Sequence, residues 1–490
     1  MKKIFALLLA LLMLLPLAVS CAKDNNTGNG PSSGEQEEVD SGNETTELVK
    51  QTYAGHNYDG YAFRIFAISP GEHYQSFIAE DSTEIWYEED SADALQHAVF
   101  TRNLLTEELL NVKITPIWGG NTYEVTDQTK TLVKAGGDEM DLVHNSQFKT
   151  FPQAMENYFY NLYDLDSFNV KADWWDQEYV DTFTYRKNQL YTIVGDYLTL
   201  DDYSTSVMFY NKNVIDNYNL EDPADYVDDG TWTIAKMMEM AEKVTQDLSG
   251  DGNMDENDSW GLLDNGFALV HFIEGCDSHM TTLDEDGVPQ VTIDKEQFIN
   301  TVQYVFEHVI QSPALLEQGN DDDLIVIKDD RALFYHEVLG ALYNFRDMEG
   351  DFSLLPIPKM NEEQKEYTSI ADGIWCTVLA MPITVKDTDK IGTIMSVLGG
   401  MSTDTVEKAL YEIVLGPMLF REKRTVDMLA YCLNARDFDW AKDINWGYPI
   451  YNAITEQATN KTFAFASKLQ ANIKVIKAQL KGFVKRLPKN

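Results

Sequence analysis

From Tyr61 onward the chain alternates between two rhythms of apolar positions. YAFRIFAI is a short, nearly continuous apolar run that predicts a strand, and the segment from Ala92 to Asn111 sets Leu95, Val99, Leu105 and Leu109 on one helical face. VKITPIW predicts a second strand, residues 123–135 a second helix, and MDLVHN a third strand. A strand-helix-strand-helix-strand run predicts a doubly wound α/β sheet, in which ligands sit beyond the carboxyl ends of the strands. Those ends are Trp118-Gly119-Gly120 and His144-Asn145-Ser146-Gln147.

A second lobe of the same kind is predicted to begin near Thr205 with TSVMFYNK. It continues through a helix over 233–246 and another over about 295–311, where Phe298, Val302, Val305 and Val309 recur at helical spacing. Asp294 with Gln297 forms a capping-box-like start for that helix. RALFY, DFSLLPIP and WCTVLAMP predict further strands, and from about Asp387 the pattern is almost wholly helical. The stretch from Lys468 to Lys489 places Ile473, Ile476, Leu480, Val484 and Leu487 on one face, with seven basic residues interleaved. It predicts an amphipathic helix docked on the second lobe; the alternative seat is an anionic surface.

The N-terminus breaks this alternation. Lys2 and Lys3 precede an apolar run from Ile4 to about Val19, which is short for a membrane span and has signal-peptide anatomy over 1–20. Ala18-Val19-Ser20-Cys21 resembles the lipobox of bacterial lipoproteins, although Ala18 stands where Leu is commonest, and the resemblance implies lipidation of Cys21. Residues 21–56 are rich in Asn, Gly, Ser, Glu and Thr and read as a disordered tether. A flexible stretch of about 35 residues has a mean reach of roughly 30–35 Å. The expected location is the extracytoplasmic face of the cell membrane, through a lipid anchor; plain secretion is the alternative.

Charge and cysteine content narrow the classes. At 490 residues the chain exceeds one ordinary core, and 80 acidic against 38 basic residues give a formal charge of −42. That balance excludes a nucleic-acid partner, which needs a dense Lys/Arg patch. Beyond Cys21 only Cys276, Cys376 and Cys432 occur, without metal spacing, and buried free thiols are expected. Motifs for serine hydrolases, zinc proteases, P-loops and dinucleotide binding are absent, while a carboxylate pair of a glycosidase could sit anywhere among so many acids.

One loop has metal character. In DLSGDGNMDENDSWGL, Asp247, Ser249, Asp251, Asn253, Asp255 and Asp258 fall at positions 1, 3, 5, 7, 9 and 12 of a calcium-loop pattern, with Gly252 at the sharp turn. A helix before it and a strand after it argue against a sensor and leave two readings, a structural Ca²⁺ staple or an unoccupied acidic turn. Aromatic residues are abundant, with 9 Trp, 25 Tyr and 23 Phe, and several stand at predicted strand ends or in loops. Aromatic faces flanked by Asp, Asn and Gln suit the apolar faces and hydroxyls of sugars.

MFYNKNVI, TWTIAKMMEMAEKVT and the acidic loop after it, in this order, resemble the extracellular solute-binding proteins of bacterial ABC importers, the carbohydrate-type family. RDMEGDFSLLPIPK and RTVDMLAYCLNARDFDW are similar to long versions from Gram-positive anaerobes, so that the likeness runs from about residue 58 to 450. The resemblance implies a two-lobed periplasmic-binding-protein-like fold, each lobe a doubly wound mixed sheet with flanking helices, linked by a hinge. By position the first lobe would be 57–198 plus 338–398 and the second 199–337 plus 399–490. It further implies a monomer that performs no chemistry, binds a carbohydrate between its lobes and hands it to permease subunits. Placed on this sequence, the cleft residues would be Trp118, His144, Asn145, Gln147, Asp202, Tyr203, Ser204, Tyr335, Trp375 and Trp446. A surface-tethered glycoside-active enzyme and a calcium-stabilised adhesion or sensory module are the competing readings.

Overall fold

The computed structural model describes residues 43–72, 83–264, 266, 268–317, 323–345, 351–416, 423–443, 454–456 and 462–486. Cys21 and Trp446 lie outside them. Residues from Thr45 to Asn490 form one compact unit with its own core. It opens with helix α1 (Glu44–Thr52), within the segment expected to be tether. Val49 packs where a Cβ on Gly400 would meet it at 2.5 Å, and the Thr46 amide donates to Asp404 at 2.6 Å. Apolar packing by Val49 and Tyr53 and the cap at Thr46 order a helix in a stretch whose composition reads as disordered.

The first lobe follows the predicted rhythm: β1 (Tyr61–Ala67), α2 (Ala94–Leu110), β2 (Val112–Trp118), α3 (Thr122–Ala135), β3 (Leu142–Ser146) and α4 (Gln147–Ala154). The Asp93 carboxylate accepts the Leu95 and Gln96 amides to start α2, and Asn111 ends it with a left-handed φ of 49°. Strand β1 pairs in parallel with β2 and with β3, so Phe63 and Ile65 are wholly buried.

The second lobe contributes β4 (Ser206–Asn211), α5 (Ile234–Val244), β5 (Trp260–Asp264), α6 (Ala268–Gly275), the hairpin β6 (Thr281–Leu283) and β7 (Pro289–Val291), and α7 (Glu296–Val305). Then come β8 (Leu315–Glu317), β9 (Ala332–Val338) and β10 (Phe352–Leu355). Its sheet has the order β10-β4-β9-β5-β8, with β5 parallel to β8 and β9 and with β4 antiparallel to β9 and β10. Helix α7 starts at Lys295 with no side-chain cap, so the expected Asp294–Gln297 box does not form; Asp294 pairs instead with Lys477.

The chain returns through β11 (Ser369–Ile370) to β12 (Thr377–Ala380), which lies antiparallel beside β3 and makes the first sheet mixed, in the order β12-β3-β1-β2. Helix α8 (Thr388–Ser402) and the π-helical turns that carry it to Leu415 pack on α2. Helix α9 (Lys423–Asn434) packs on β10, β13 (Arg436–Asp437) pairs with β11, and α10 (Phe465–Arg486) lies on α7 and β7. The lobe boundaries therefore differ from those read by position. Strand β10 stays in the second sheet, so the return comes near Ala371 rather than 338, and the first lobe runs on past 398 to Leu415. Periodicity identifies an element and is silent about the sheet that receives it.

Helix α10 buries Phe465, Leu469, Ile476, Leu480 and Phe483, each worth roughly 1.5–3 kcal/mol when fully removed from water, which holds it on the second lobe as expected. Cys276, Cys376 and Cys432 are buried and free. Among the described residues no helix is long and apolar enough to cross a membrane.

Candidate functional site at the strand ends and the crossover

At the carboxyl end of β2 the backbone turns through two glycines. A Cβ on Gly119 would lie 2.7 Å from the Phe66 ring and 2.8 Å from Val125, and Gly120 has a φ of 86°, so neither position accepts another residue without strain. Asn121 then caps α3 by accepting the Tyr123 and Glu124 amides, and the Glu124 carboxylate accepts the Asn121 amide at 3.0 Å. This turn leaves Trp118 at 37% exposure and Tyr123 at 49%. Tyr123 meets Phe148 edge-on at 6.3 Å, and Lys149 Nζ lies 4.4 Å from the Tyr123 ring centre. The end of the first sheet thus carries two exposed aromatic residues on either side of a fixed turn.

His144 and Asn145, expected at the cleft wall, are wholly buried in β3. Asn145 Oδ1 accepts from Thr122 Oγ1 at 2.5 Å and Nδ2 donates to Thr126 Oγ1 at 2.9 Å, tying β3 to α3. His144 Nε2 donates to Glu84 Oε2 at 2.8 Å. Glu84, which no sequence pattern singles out, also accepts from the Thr199 amide, the Leu200 amide at 2.9 Å and Thr377 Oγ1 at 2.6 Å. Burial alone would raise its pKa, but His144, the Thr199 amide and Thr377 outweigh it and bring the carboxyl down to about 2. A single ionised side chain thereby joins β3, β12 and the start of the crossover between lobes.

Three chain segments meet at that crossover. The Leu339 amide donates to Thr205 O at 2.8 Å, and the Asp372 amide to Ser204 O at 3.2 Å. Asp202 and Asp176 pair with Arg436, and Asp201 lies 3.4 Å from the same guanidinium. Burial first, then neighbouring carboxylates, push Asp201 and Asp202 up, with Arg436 opposing; beside them burial raises Glu407 to about 7 and lifts Asp196 well above its usual range. Tyr203 and Tyr343 share a hydroxyl contact of 2.8 Å. Gln147 begins α4 with its amide on Cys376 O at 2.9 Å, and the half-buried Trp375 sits in the turn closed by Asp372. Gln147, Asp202, Tyr203, Ser204 and Trp375 are thus gathered at the crossover, whereas Trp118 stands at the outer edge of the first sheet. Tyr335 is buried in β9 against Phe209 and Phe345, with its hydroxyl 3.3 Å from Glu337.

At the inner end of the second sheet, Ser206 Oγ lies 3.0 Å from both His336 Nε2 and His271 Nδ1, and His336 Nδ1 lies 2.8 Å from Asp264 Oδ1. The set has the connectivity of a Ser-His-Asp triad. Ser206 is wholly buried and its oxygen is shared by a second imidazole, so as folded the set links buried polar groups of β4, β5, β9 and α6. His271 also approaches Asp372 at 3.5 Å, which extends the network to the returning segment.

The acidic loop closes on itself. Asp258 accepts the amides of Leu248, Ser249 and Asp255, and Asp247 accepts those of Gly250 and Gly252. Asp251 and Asp255 accept the amides of Asn253 and Asn257. As folded, the loop is a self-capped turn, and among the described residues no three His, Cys, Asp or Glu side chains are gathered as a metal cluster.

No protein-family model and no curated protein matches the chain. Solved structures do. An ABC substrate-binding protein of Listeria monocytogenes in complex with cycloalternan is similar with a TM-score of 0.54 and 14% identity, over 86% of this chain and 100% of that one. The maltose/maltodextrin-binding domain MalE of Bdellovibrio bacteriovorus bound to maltotriose gives 0.53 and 13%, over 86% and 100%. A cyclo/maltodextrin-binding protein complexed with maltotetraose gives 0.56 and 12%, over 86% and 98%. At these identities the likeness is one of fold, and the chain has the two-lobed periplasmic-binding-protein-like α/β fold.

Proposed function

We propose that the protein is the surface-held, carbohydrate-binding component of an ABC importer, and that it leaves its ligand chemically unchanged. The observation that carries this reading is the exposure of Trp118 and Tyr123 on either side of a capped turn at the carboxyl end of the first sheet, in a fold that closes two lobes around a solute. Aromatic platforms with Asn121, Glu124 and Lys149 nearby offer what an oligosaccharide presents, flat C–H faces ringed by hydroxyls. The similar solved proteins carry cycloalternan, maltotriose and maltotetraose, which supports an oligosaccharide of glucose units as the first ligand class to try.

Permease subunits are the partners this function requires, and Cys21 is the proposed site of the lipid anchor that keeps the protein beside them. Thermal shift followed by calorimetry against mono- and oligosaccharides tests the ligand: saturable binding of one glycan class, recovered intact, is expected. Release of reducing ends would replace the reading with the glycoside-active enzyme. Cys21→Ser is expected to shift the protein from the membrane to the medium. A structural calcium ion in the Asp247–Asp258 loop belongs to the same proposal only if chelation lowers the melting temperature at low calcium.

A further inference from the structure

Charge is segregated along this chain. All 80 acidic residues lie at or before Glu456, whereas eight of the 38 basic residues follow it. Most of those eight stand on α10, whose inner face is spent on the second lobe through Leu469, Ile476, Leu480 and Phe483. Lys474, Lys477, Lys481 and Lys485 are exposed, and their spacing places them within about 80° of one another along roughly 16 Å of helix. Lys477 pairs with Asp294; Lys474, Lys481 and Lys485 make no ion pair among the described residues. Exposed Ala471, Ala478 and Gly482 flank this stripe, so no longer side chain holds the lysines away from a flat partner. In a protein with a formal charge of −42, three cations with no carboxylate partner among the described residues, on one face, mark a surface that meets negative charge from outside.

We propose that the outer face of α10 docks on an anionic phospholipid bilayer, with Lys474, Lys481 and Lys485 against the headgroup phosphates. The outer side of a helix is convex, and an extended sheet of phosphates matches the length of the stripe. The proposal rests on the membrane-side location given above. Acting together with the anchor, the stripe would set which side of the second lobe faces the bilayer.

Co-sedimentation with vesicles tests it on the compact unit Thr45–Asn490, which lacks the apolar N-terminal run and the candidate lipidation site. Pelleting is expected with phosphatidylcholine vesicles containing about a third phosphatidylglycerol and not with phosphatidylcholine alone, and three lysines account for roughly 100-fold in partition. Raising the salt from about 0.05 to 0.5 M should abolish it. K474Q/K481Q/K485Q should lose that roughly 100-fold while keeping the melting temperature of the parent. K468Q, on another side of the helix and paired with Glu456, should bind as the parent. Equal pelleting on neutral vesicles, a folded triple variant that pellets like the parent, or retention by a soluble polyanion without vesicle binding would each overturn the proposal. None of these outcomes depends on the sugar, so its failure and that of the binding-protein reading are separable.

Discussion

Glu84 and Glu337 stand at the inner ends of the two lobes, and the same desolvation acts on both with opposite results. Glu84 has a histidine, a backbone amide and a hydroxyl that outweigh burial, and its carboxyl falls to about 2. Burial dominates at Glu337 and carries it up to about 7, although the Val338 amide and His336 work the other way and Asp264 adds to the rise. Donor supply, rather than depth, decides whether a buried carboxyl keeps its charge. The first lobe therefore fixes its end of the crossover with a permanent charge. The second places there a carboxyl that burial raises to about 7.

Removing each glutamate is the strongest way to break this comparison. Glu84→Ala should cost about 3–5 kcal/mol by urea denaturation, because it leaves the His144, Thr199 and Leu200 donors buried without their acceptor. Glu337→Gln should cost under about 1 kcal/mol at neutral pH, since it removes a charge that burial already disfavours. Equal losses would show that burial alone matters.

A pH profile sharpens the same contrast. Glu84 has a folded pKa below its ordinary 4.5, so its stabilisation of about 3 kcal/mol is present above pH 4.5 and is lost as the pH falls toward 2. Glu337 and Glu407 are raised to about 7, so their contribution is complete below 4.5 and is lost as the pH rises through 7. Denaturation midpoints should therefore peak in the acidic range near pH 5. Glu407→Gln should flatten the alkaline side, and an unchanged slope in that variant would remove the crossover carboxylates from the account.

The exposed and buried aromatics extend the comparison to binding. Trp118→Ala should weaken sugar binding by roughly 10- to 100-fold, and Tyr123→Ala by less, with stability within about 0.5 kcal/mol of the parent because both rings are solvent-accessible. Tyr335→Ala, in a packed strand, should instead lower stability, read as a melting-temperature loss without ligand. The most local effect belongs to the acidic loop. Asp258→Ala should cost about 1–2 kcal/mol even in EDTA, because the Leu248, Ser249 and Asp255 amides lose their acceptor whether or not calcium binds.

Most of the architecture was legible along the chain. The strand at Tyr61, the helix over 94–110 and the amphipathic C-terminal helix follow from periods of two and 3.6 that one lobe's core imposes locally. Trp118 was legible because glycines after a predicted strand mark its end. Tyr123 could have been found beside it, one position into a helix capped by Asn121. Glu84, His271, His336 and Arg436 carried no pattern, and His144 was read as facing ligand when its partner stands 60 residues earlier.

By itself, then, the sequence determined the kinds of elements, their order, and the segregation of charge that sets α10 apart from the rest, since each depends on neighbours within a few turns of chain. Only the tertiary structure decided which polar groups are spent inside. A buried carboxylate or guanidinium needs donors or acceptors of fixed geometry, and Arg436 finds Asp202 and Asp176 at separations of 234 and 260 residues. Such partners are assigned by the packing of the lobes, and no local rhythm records them.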